Sequence, residues 1–296
     1  MKNILVVDVR LIAFKTFYNH SSILNTVQLI VDSAKKYVKP DKVIFAWDSK
    51  IGSKKRKEIY PEYKAHRKDK IKSDSEKKRL KQFNKDFNQL ENILKYIGNV
   101  IHIDGYEADD IANIISERFK DSNYNIFFLS SDVDWGVNLV NDNFYQIHLT
   151  KGLMNKNRFT ELYNISPSNL LHAQAIMGVE KENIKGVYKL GKGRLYKLFN
   201  QMTLSEVINE VQSWVDVGKY GTKLIDGFNS VEELYNFNYN ILKPIKFDEL
   251  SEDEQNLFKE QFSNKVGSYD ELVSEAFITY NKPFLLTNEQ RKFYKI

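Results

Sequence analysis

Short continuous apolar runs recur through the first half of the chain, and each is closed by an acid. Asn3-Ile4-Leu5-Val6-Val7 ends on Asp8, and Val43-Ile44-Phe45-Ala46-Trp47 ends on Asp48. Asn99-Val100-Ile101-His102-Ile103 leads to Glu107, Asp109 and Asp110, while Asn125-Ile126-Phe127-Phe128-Leu129 leads through Ser130-Ser131 to Asp132 and Asp134. Runs of this length, bounded by breakers, suit parallel strands covered on both faces. A further strand is predicted at Phe144-Tyr145-Gln146-Ile147-His148-Leu149. Between the runs the apolar spacing turns helical. Leu24, Val27, Ile30, Val31 and Ala34 predict a helix ending near Pro40, a long one spans Ser75 to Tyr96, and Ile111-Ala112-Asn113-Ile114-Ile115 begins another directly after the third acid cluster. The fold class that follows is α/β, with a central, mostly parallel sheet and flanking helices.

The stretch Gly105-Tyr106-Glu107-Ala108-Asp109-Asp110 places three carboxylates within four residues at a strand-to-helix junction. Like charges this close repel, so such a cluster faces water, holds protons or binds a metal. In an open α/β sheet, strand C-termini are where ligands bind. Asp8, Asp48, Glu107, Asp109, Asp110, Asp132 and Asp134 therefore point to one crevice of seven carboxylates, expected as unpaired anions. Hard divalent cations with oxygen ligands would relieve their repulsion, and the lack of Cys or paired His favours Mg2+ or Mn2+ over zinc. Taken singly, each acid could be no more than a helix cap or turn residue; agreement among four junctions argues for the crevice.

Charge changes the picture in one place. The net charge is +5, but residues 50–81 carry 14 Lys or Arg against 5 Asp or Glu, a local +9 that leaves the rest of the chain at −4. A basic patch on an otherwise acidic chain suits a polyanionic partner, although a solvated charged helix has the same composition. Interleaving of basic residues with Tyr60, Tyr63 and His66 adds the possibility of stacking on bases. This segment lies between the second and third strands and could guide a nucleic-acid strand into the crevice. The absence of cysteine excludes disulfides and thiolate sites and fits a reducing cytosol. No apolar run reaches the length of a membrane span, and Asp8 and Arg10 interrupt any signal-like segment at the start.

Ser166-Pro167 marks a helix start and the best domain boundary. Residues from Met177 to Arg194 form a glycine-punctuated, basic turn between two helices, suited to gripping phosphates through backbone amides. From Leu204 the chain reads as mostly helical, with a break at Asn281-Lys282-Pro283 and a tail to Ile296.

These residues resemble the structure-specific 5′ nucleases, the flap endonucleases and 5′-3′ exonucleases, and are most similar to stand-alone bacteriophage enzymes and the 5′ nuclease domain of DNA polymerase I. The resemblance rests on Val7-Asp8, Ala46-Trp47-Asp48, Tyr60-Pro61-Glu62-Tyr63-Lys64-Ala65-His66-Arg67, Gly105 to Asp110, Ser130 to Asp134, and Ala175-Ile176-Met177-Gly178 through Gly191, in family order over about two thirds of the chain. It implies a PIN-like catalytic domain over residues 1–165 with a helical arch at about 50–82, and a helical DNA-binding region over 166–296 with a helix-turn-helix-type element. Asp8, Asp48, Glu107, Asp109, Asp110 and Asp132 would build a first metal site, and Asp134 and Glu182 a second. Lys64 would be the active-site lysine, and Asp8, Asp48 and Asp132 would share in catalysis. Tyr63, Lys64, Arg67, Lys54, Lys55, Arg56, Gly186, Gly191, Lys192 and Arg194 would contact nucleic acid. The implied cofactors are Mg2+ or Mn2+, two ions with the second weakly bound, and K+ at the glycine-rich turn. The implied partner is 5′-flap, nicked or branched DNA, with RNA–DNA hybrid as a further substrate, handled by a monomer in the cytoplasm, or in the host cytoplasm for a phage enzyme, away from membranes.

The departures bear on the second site. Where the family pattern reads Gly-Asp-x-x-Asp-Asn, this chain reads Gly178-Val179-Glu180-Lys181-Glu182-Asn183. One carboxylate is absent and the other is a methylene longer, so the second site is expected to be weakened. Lys189 stands where a glycine is usual, Gly193 where a lysine is usual, and Val9 follows Asp8 in place of glycine. The resulting expectation is a metal-dependent phosphodiesterase acting on branched or nicked DNA in replication or repair. A catalytically impaired branched-DNA-binding protein and a PIN-like ribonuclease are the alternatives.

Overall fold

The computed structural model describes residues 1–19, 22–49, 51–67, 73–267, 271 and 274. Lys50, residues 68–72 of the arch segment, the Asn281-Lys282-Pro283 break and the C-terminal tail lie outside the described residues. The first strand, β1 (Lys2–Asp8), is buried from Ile4 onward. It runs without a loop into α1 (Val9–Tyr18), because the Asp8 carboxylate accepts the Leu11 N–H at 3.2 Å and caps the helix. That helix was not expected. Its buried stripe of Val9, Ile12, Ala13 and Thr16 has helical spacing, but the exposed Phe14 on another face blurs the apolar pattern.

Next come α2 (Asn25–Tyr37), β2 (Lys42–Ala46), a short α3 (Lys54–Ile59) and the long α4 (Asp74–Leu94). Ser73 and Glu76 fix the start of α4 by reciprocal side-chain-to-backbone bonds of 3.2 and 2.9 Å. Then follow β3 (Asn99–Ile101), α5 (Ala108–Phe119), β4 (Tyr124–Leu129), a 3-10 turn at Val133–Asn138, β5 (Phe144–His148), β6 (Gly152–Met154) and α6 (Lys156–Tyr163). The sheet order is β3-β2-β1-β4-β5-β6. All pairings are parallel except the edge strand β6, which runs antiparallel to β5. The strand order therefore reverses between β1 and β4, which opens a crevice at their C-terminal ends.

Alternate strand residues feed two cores. Leu5, Val7, Phe45 and Leu129 meet α1, α2 and α4, whereas Ile4, Val6, Ile44 and Phe128 face α5 and the C-terminal helices. The latter are α7 (Pro167–Met177), which has proline at its first position, α8 (Lys192–Phe199), α9 (Leu204–Asp216), α10 (Val231–Leu242) and α11 (Glu252–Ser263). One apolar cluster runs from Ile4 to Phe258, across the short link at residue 165. At the far end of the chain, Asn99 of β3 donates to the carbonyls of Gln261 and Asn264 at 3.0 and 2.9 Å. No described helix is long and apolar enough to cross a membrane.

After α7, a hairpin of two-residue strands, β7 (Gly178–Val179) and β8 (Ile184–Lys185), folds the chain tightly back on itself. A Cβ on Gly186 would lie 1.9 Å from the Met177 carbonyl carbon, so glycine is required here by the close approach of two backbones. The need for glycine at 186 is therefore accounted for by packing.

Candidate active site

The acids at the strand ends come together as the sequence pattern indicates. Asp8, Asp48, Glu107, Asp109 and Asp132 line one open groove of about 1670 Å³, together with Lys54, Lys57, Lys64, Arg67, Lys181 and Glu182. Asp110 and Asp134 instead line a neighbouring cavity of about 70 Å³, with Arg56, Tyr63, Gln174 and Val179. Glu107 and Asp109 line both spaces and stand between them.

The expectation that these anions are unpaired is overturned for Glu107, Asp110, Asp132 and Asp134, because the chain supplies its own cations. Asp110, 1% exposed, takes a two-pronged bond from Arg56 at 2.6 and 2.8 Å and also accepts the Glu107 N–H at 2.9 Å. Its oxygens are spent on these donors and point away from the groove. Glu107 accepts from Ser53 at 2.8 Å and Lys64 at 2.6 Å on one oxygen, and from Tyr63 at 3.1 Å and Arg56 at 3.3 Å on the other. Burial alone would push its pKa up; the Lys64 and Arg56 charges and the Lys64 and Ser53 hydrogen bonds outweigh that and hold it down at about 2. Lys181 bridges the last pair. Its Nζ lies 3.0 Å from Asp132 Oδ2 and contacts Asp134, whose other oxygen accepts from Gln174 at 2.6 Å. Burial opposes the Lys181 charge, but the two aspartates raise its pKa above the usual lysine value.

Asp8, Asp48 and Asp109 form the part of the crevice with the weakest internal compensation. Burial pushes Asp8 up to about 7 despite its hydrogen bond from Ser130, and the nearby Asp48 and Asp132 push the same way. Asp48 is raised chiefly by burial and further by Glu107, against the Ala108 N–H it accepts at 2.9 Å and the Arg10 guanidinium at 3.8 Å. Asp109 lies among surrounding protein groups but opens to water within the groove; desolvation and the charges of Asp8, Glu107, Asp132 and Asp48 raise it, and Trp135 Nε1 donates to it at 2.6 Å. All-oxygen donors whose ionisation is suppressed by burial and by neighbouring acids are the donor chemistry a hard divalent cation would satisfy. They are not a preassembled cage, since among the described residues no group of three or more His, Asp or Glu stands in ion-holding geometry. A cation would have to draw them together.

The arch segment departs most from expectation. Arg56 and Tyr63, expected to touch nucleic acid, are turned inward; Tyr63 is 3% exposed and packs with Val179, Ile184 and Ile241. Tyr60, expected to stack on bases, packs edge-on against Phe237 of α10 and donates to the Asn183 carbonyl at 3.2 Å. The segment is fastened to the turn after α7. The Lys64 N–H bonds the Glu182 carbonyl at 2.8 Å, and Asn183 Nδ2 bonds the Glu62 carbonyl at 2.8 Å. Arg67 donates to the Lys181 carbonyl at 3.2 Å. Glu182, expected at a second metal, faces Lys64 at 3.1 Å and Arg67 at 3.3 Å. Lys64 itself has φ 57°, a left-handed conformation unusual for lysine and maintained by this fastening. Lys55 leaves the groove to pair with Glu254 of α11 at 3.7 Å, while Lys54 remains on the groove wall.

Several side chains of the site were not anticipated. Ser53, Ser130, Trp135, Gln174 and Lys181 orient the acids, and only Ser130 lies in a stretch with a pattern of its own, Ser130-Ser131-Asp132. A second basic surface accompanies the turn before α8. Gly191 precedes the first turn of that helix, Lys192 and Arg194 are exposed, and the Arg194 guanidinium lies 4.2 Å over Tyr220. Tyr188 N–H bonds the Lys223 carbonyl at 3.0 Å, which brings Lys223 and Lys219 to the same side. Lys189, where a glycine is usual, indeed has φ 57°.

Comparison with known proteins gives a consistent picture. Residues 3–164 match the family described as 5′-3′ exonuclease, N-terminal resolvase-like domain. A 5′-3′ exonuclease of Mycoplasmopsis pulmonis is 26% identical over 297 residues, covering 95% of this chain and 92% of that protein. DNA polymerase I of Streptococcus pneumoniae is 24% identical over 246 residues, covering 76% of this chain and 27% of the polymerase. Among solved structures, the bacteriophage T5 5′-exonuclease with zinc ions bound superposes with a TM-score of 0.66 at 21% identity, covering 95% of this chain and 99% of that chain. A T5 flap endonuclease in complex with DNA and metal ions gives 0.63 at 20% identity, covering 99% and 97%. At such identities the structural likeness is one of fold.

Proposed function

The chain belongs to the 5′-3′ exonuclease family, and on that premise we propose that it is a divalent-metal-dependent phosphodiesterase acting on 5′-flap, nicked or branched DNA. The observation that carries the reading is the single groove in which Asp8, Asp48, Asp109 and Asp132 face one another with Lys64 at its wall. Mg2+ or Mn2+, held by those four aspartates, would supply a water of lowered pKa and a positive charge for the phosphoryl oxygens. The chain's own groups do the rest. Lys64 stands ready to neutralise charge on the phosphoryl group or the leaving oxygen. Lys54, Lys57 and Arg67 line the path by which a single strand would enter, and Gly191, Lys192 and Arg194 grip duplex backbone, which gives selectivity for structure rather than sequence. With Lys189, Lys192 and Arg194 within six residues of sequence, that turn favours a phosphate over K+ as its occupant. Val179 is apolar and Glu182 faces Lys64, so a second ion would find a weak site.

Cleavage of a 5′-labelled flap and of a nicked duplex, each with DNA or RNA in the displaced strand, tests the reading across a Mg2+ and Mn2+ titration. Expected is cutting that needs the metal and stops with EDTA. Cutting unaffected by EDTA would overturn the proposal. Tight junction binding with no product at any Mn2+ concentration would select a binding protein instead, and faster cutting of RNA would select a ribonuclease.

A further inference from the structure

We infer that the Lys181 ammonium stands in the place of a second divalent cation, so that the chain carries part of the counter-charge of its catalytic groove as a side chain. This rests on the phosphodiesterase reading above and sharpens it.

Asp132 and Asp134 enter the 3-10 turn together, with the Asp134 N–H bonded to Asp132 Oδ1 at 3.0 Å, and Lys181 Nζ is in hydrogen-bond contact with both carboxylates. Gln174 occupies the remaining Asp134 oxygen. The other donors that a second ion would use are depleted or already engaged, so the ammonium competes against a weak site. Val179 is packed among Tyr63, Ile184 and Ile241 and offers no oxygen, and Glu182, which lines the same small cavity as Asp134, is already paired with Lys64 and Arg67. The turn that carries Glu182 is fastened to the arch by the Lys64-to-Glu182 backbone bond and the Asn183-to-Glu62 bond, so its carboxylate could turn toward an ion beside Asp134 only by displacement from Lys64 and Arg67. Mg2+ demands near-octahedral oxygen geometry and tolerates such displacement poorly, whereas an ammonium needs only a few acceptors in its reach. The Lys181 backbone is itself fixed by Arg67, so its side chain is delivered from a braced position. A lysine in this place neutralises Asp132 and Asp134 and can donate a hydrogen bond to a phosphate oxygen. It cannot ionise a water, which leaves that task to the Asp8 side of the groove.

The test is to count Mn2+ ions bound to the full chain without DNA, by calorimetric titration and by the loss of the free-ion paramagnetic resonance signal. The wild-type chain is expected to bind one ion. Lys181→Met should bind a second, because two aspartates are then left without their cation, and Lys181→Arg should remain at one. Two ions on the wild-type chain, or one on a Lys181→Met chain whose melting curve shows it folded, would overturn the inference while leaving the phosphodiesterase reading intact. No ion on the wild-type chain would instead remove that reading, and this inference with it. Two ions on the wild-type chain would overturn the inference even if the methionine variant fails to fold.

Discussion

An Arg56→Ala chain is expected to lose about 3–5 kcal/mol of folding stability, the usual cost of stranding one half of a buried ion pair, and to melt on the order of 10 °C lower. The guanidinium side chain is 13% exposed and serves two carboxylates, with Asp110 itself 1% exposed. Removing it leaves Asp110 without a cation, with only the Glu107 N–H to accept, and leaves Glu107 to Lys64, Tyr63 and Ser53. Thermal and urea unfolding measure the loss. The double variant Arg56→Met, Asp110→Leu should recover most of it, since apolar replacement of a whole buried pair is often neutral. A loss below about 1 kcal/mol, the ordinary worth of an exposed pair, would show that Arg56 is not the internal counter-ion described above.

The second large effect separates activity from stability. Asp8→Asn keeps both local hydrogen bonds, because the amide oxygen can accept the Leu11 N–H and the amide nitrogen can donate to Ser130. It removes a charge that sits unfavourably in the metal-free fold. Asp8 is raised from 3.8 to about 7, so the folded state holds a proton that the unfolded chain releases. Its contribution to stability is full below pH 3.8 and is lost as pH rises through 7, on the order of 4 kcal/mol across that window. The Asp8→Asn chain should lack this decline. In EDTA at pH 8 it is expected to be more stable than wild type by roughly 2–3 kcal/mol, after allowing for the burial of an amide. Its metal-dependent cutting should fall by more than roughly 100-fold, since even outer partners of a metal site cost 10–100-fold. Melting curves from pH 4 to 8 with chelator, and initial rates on a flap substrate, check both halves. An Asp8→Asn chain less stable than wild type at pH 8 would mean that a neighbouring cation already satisfies Asp8. Glu107 titrates in the opposite sense, contributing stability above pH 4.5 that is lost as pH falls toward 2.

The sheet was legible because its strands are covered on both faces and therefore read as unbroken apolar runs; Val43 to Trp47 is one such run, and β2 spans Lys42–Ala46. The acids were legible for the same reason, since each interrupts a run at its end. Pairing was not legible. Lys54, Lys55, Arg56 and Lys57 are four consecutive cations, and only the direction of α3 sends Arg56 inward while Lys54 and Lys57 face the groove. Tyr63 and Tyr60 have the composition of a stacking surface, yet the turn after α7, more than a hundred residues away, covers them. Lys181 had no signal at all, because a lysine in a charged turn is ordinary until the partners across the groove are known. Long-range partners decide the orientation of charged side chains, whereas burial of apolar ones is already written in local periodicity.

The apolar cluster that runs from Ile4 to Phe258 governs how this molecule can be dissected. A fragment ending near residue 165 would contain every aspartate of the groove, but it would lose Leu170, Ala173 and Ile176, which belong to the same buried apolar cluster as Ile111, Phe128 and Trp135. Such a fragment would present a wide greasy face to solvent and is expected to be recovered as aggregate. Minimal versions of the enzyme must therefore be made by trimming loops, with the helices beyond α6 retained as the wall against which the acidic groove is built.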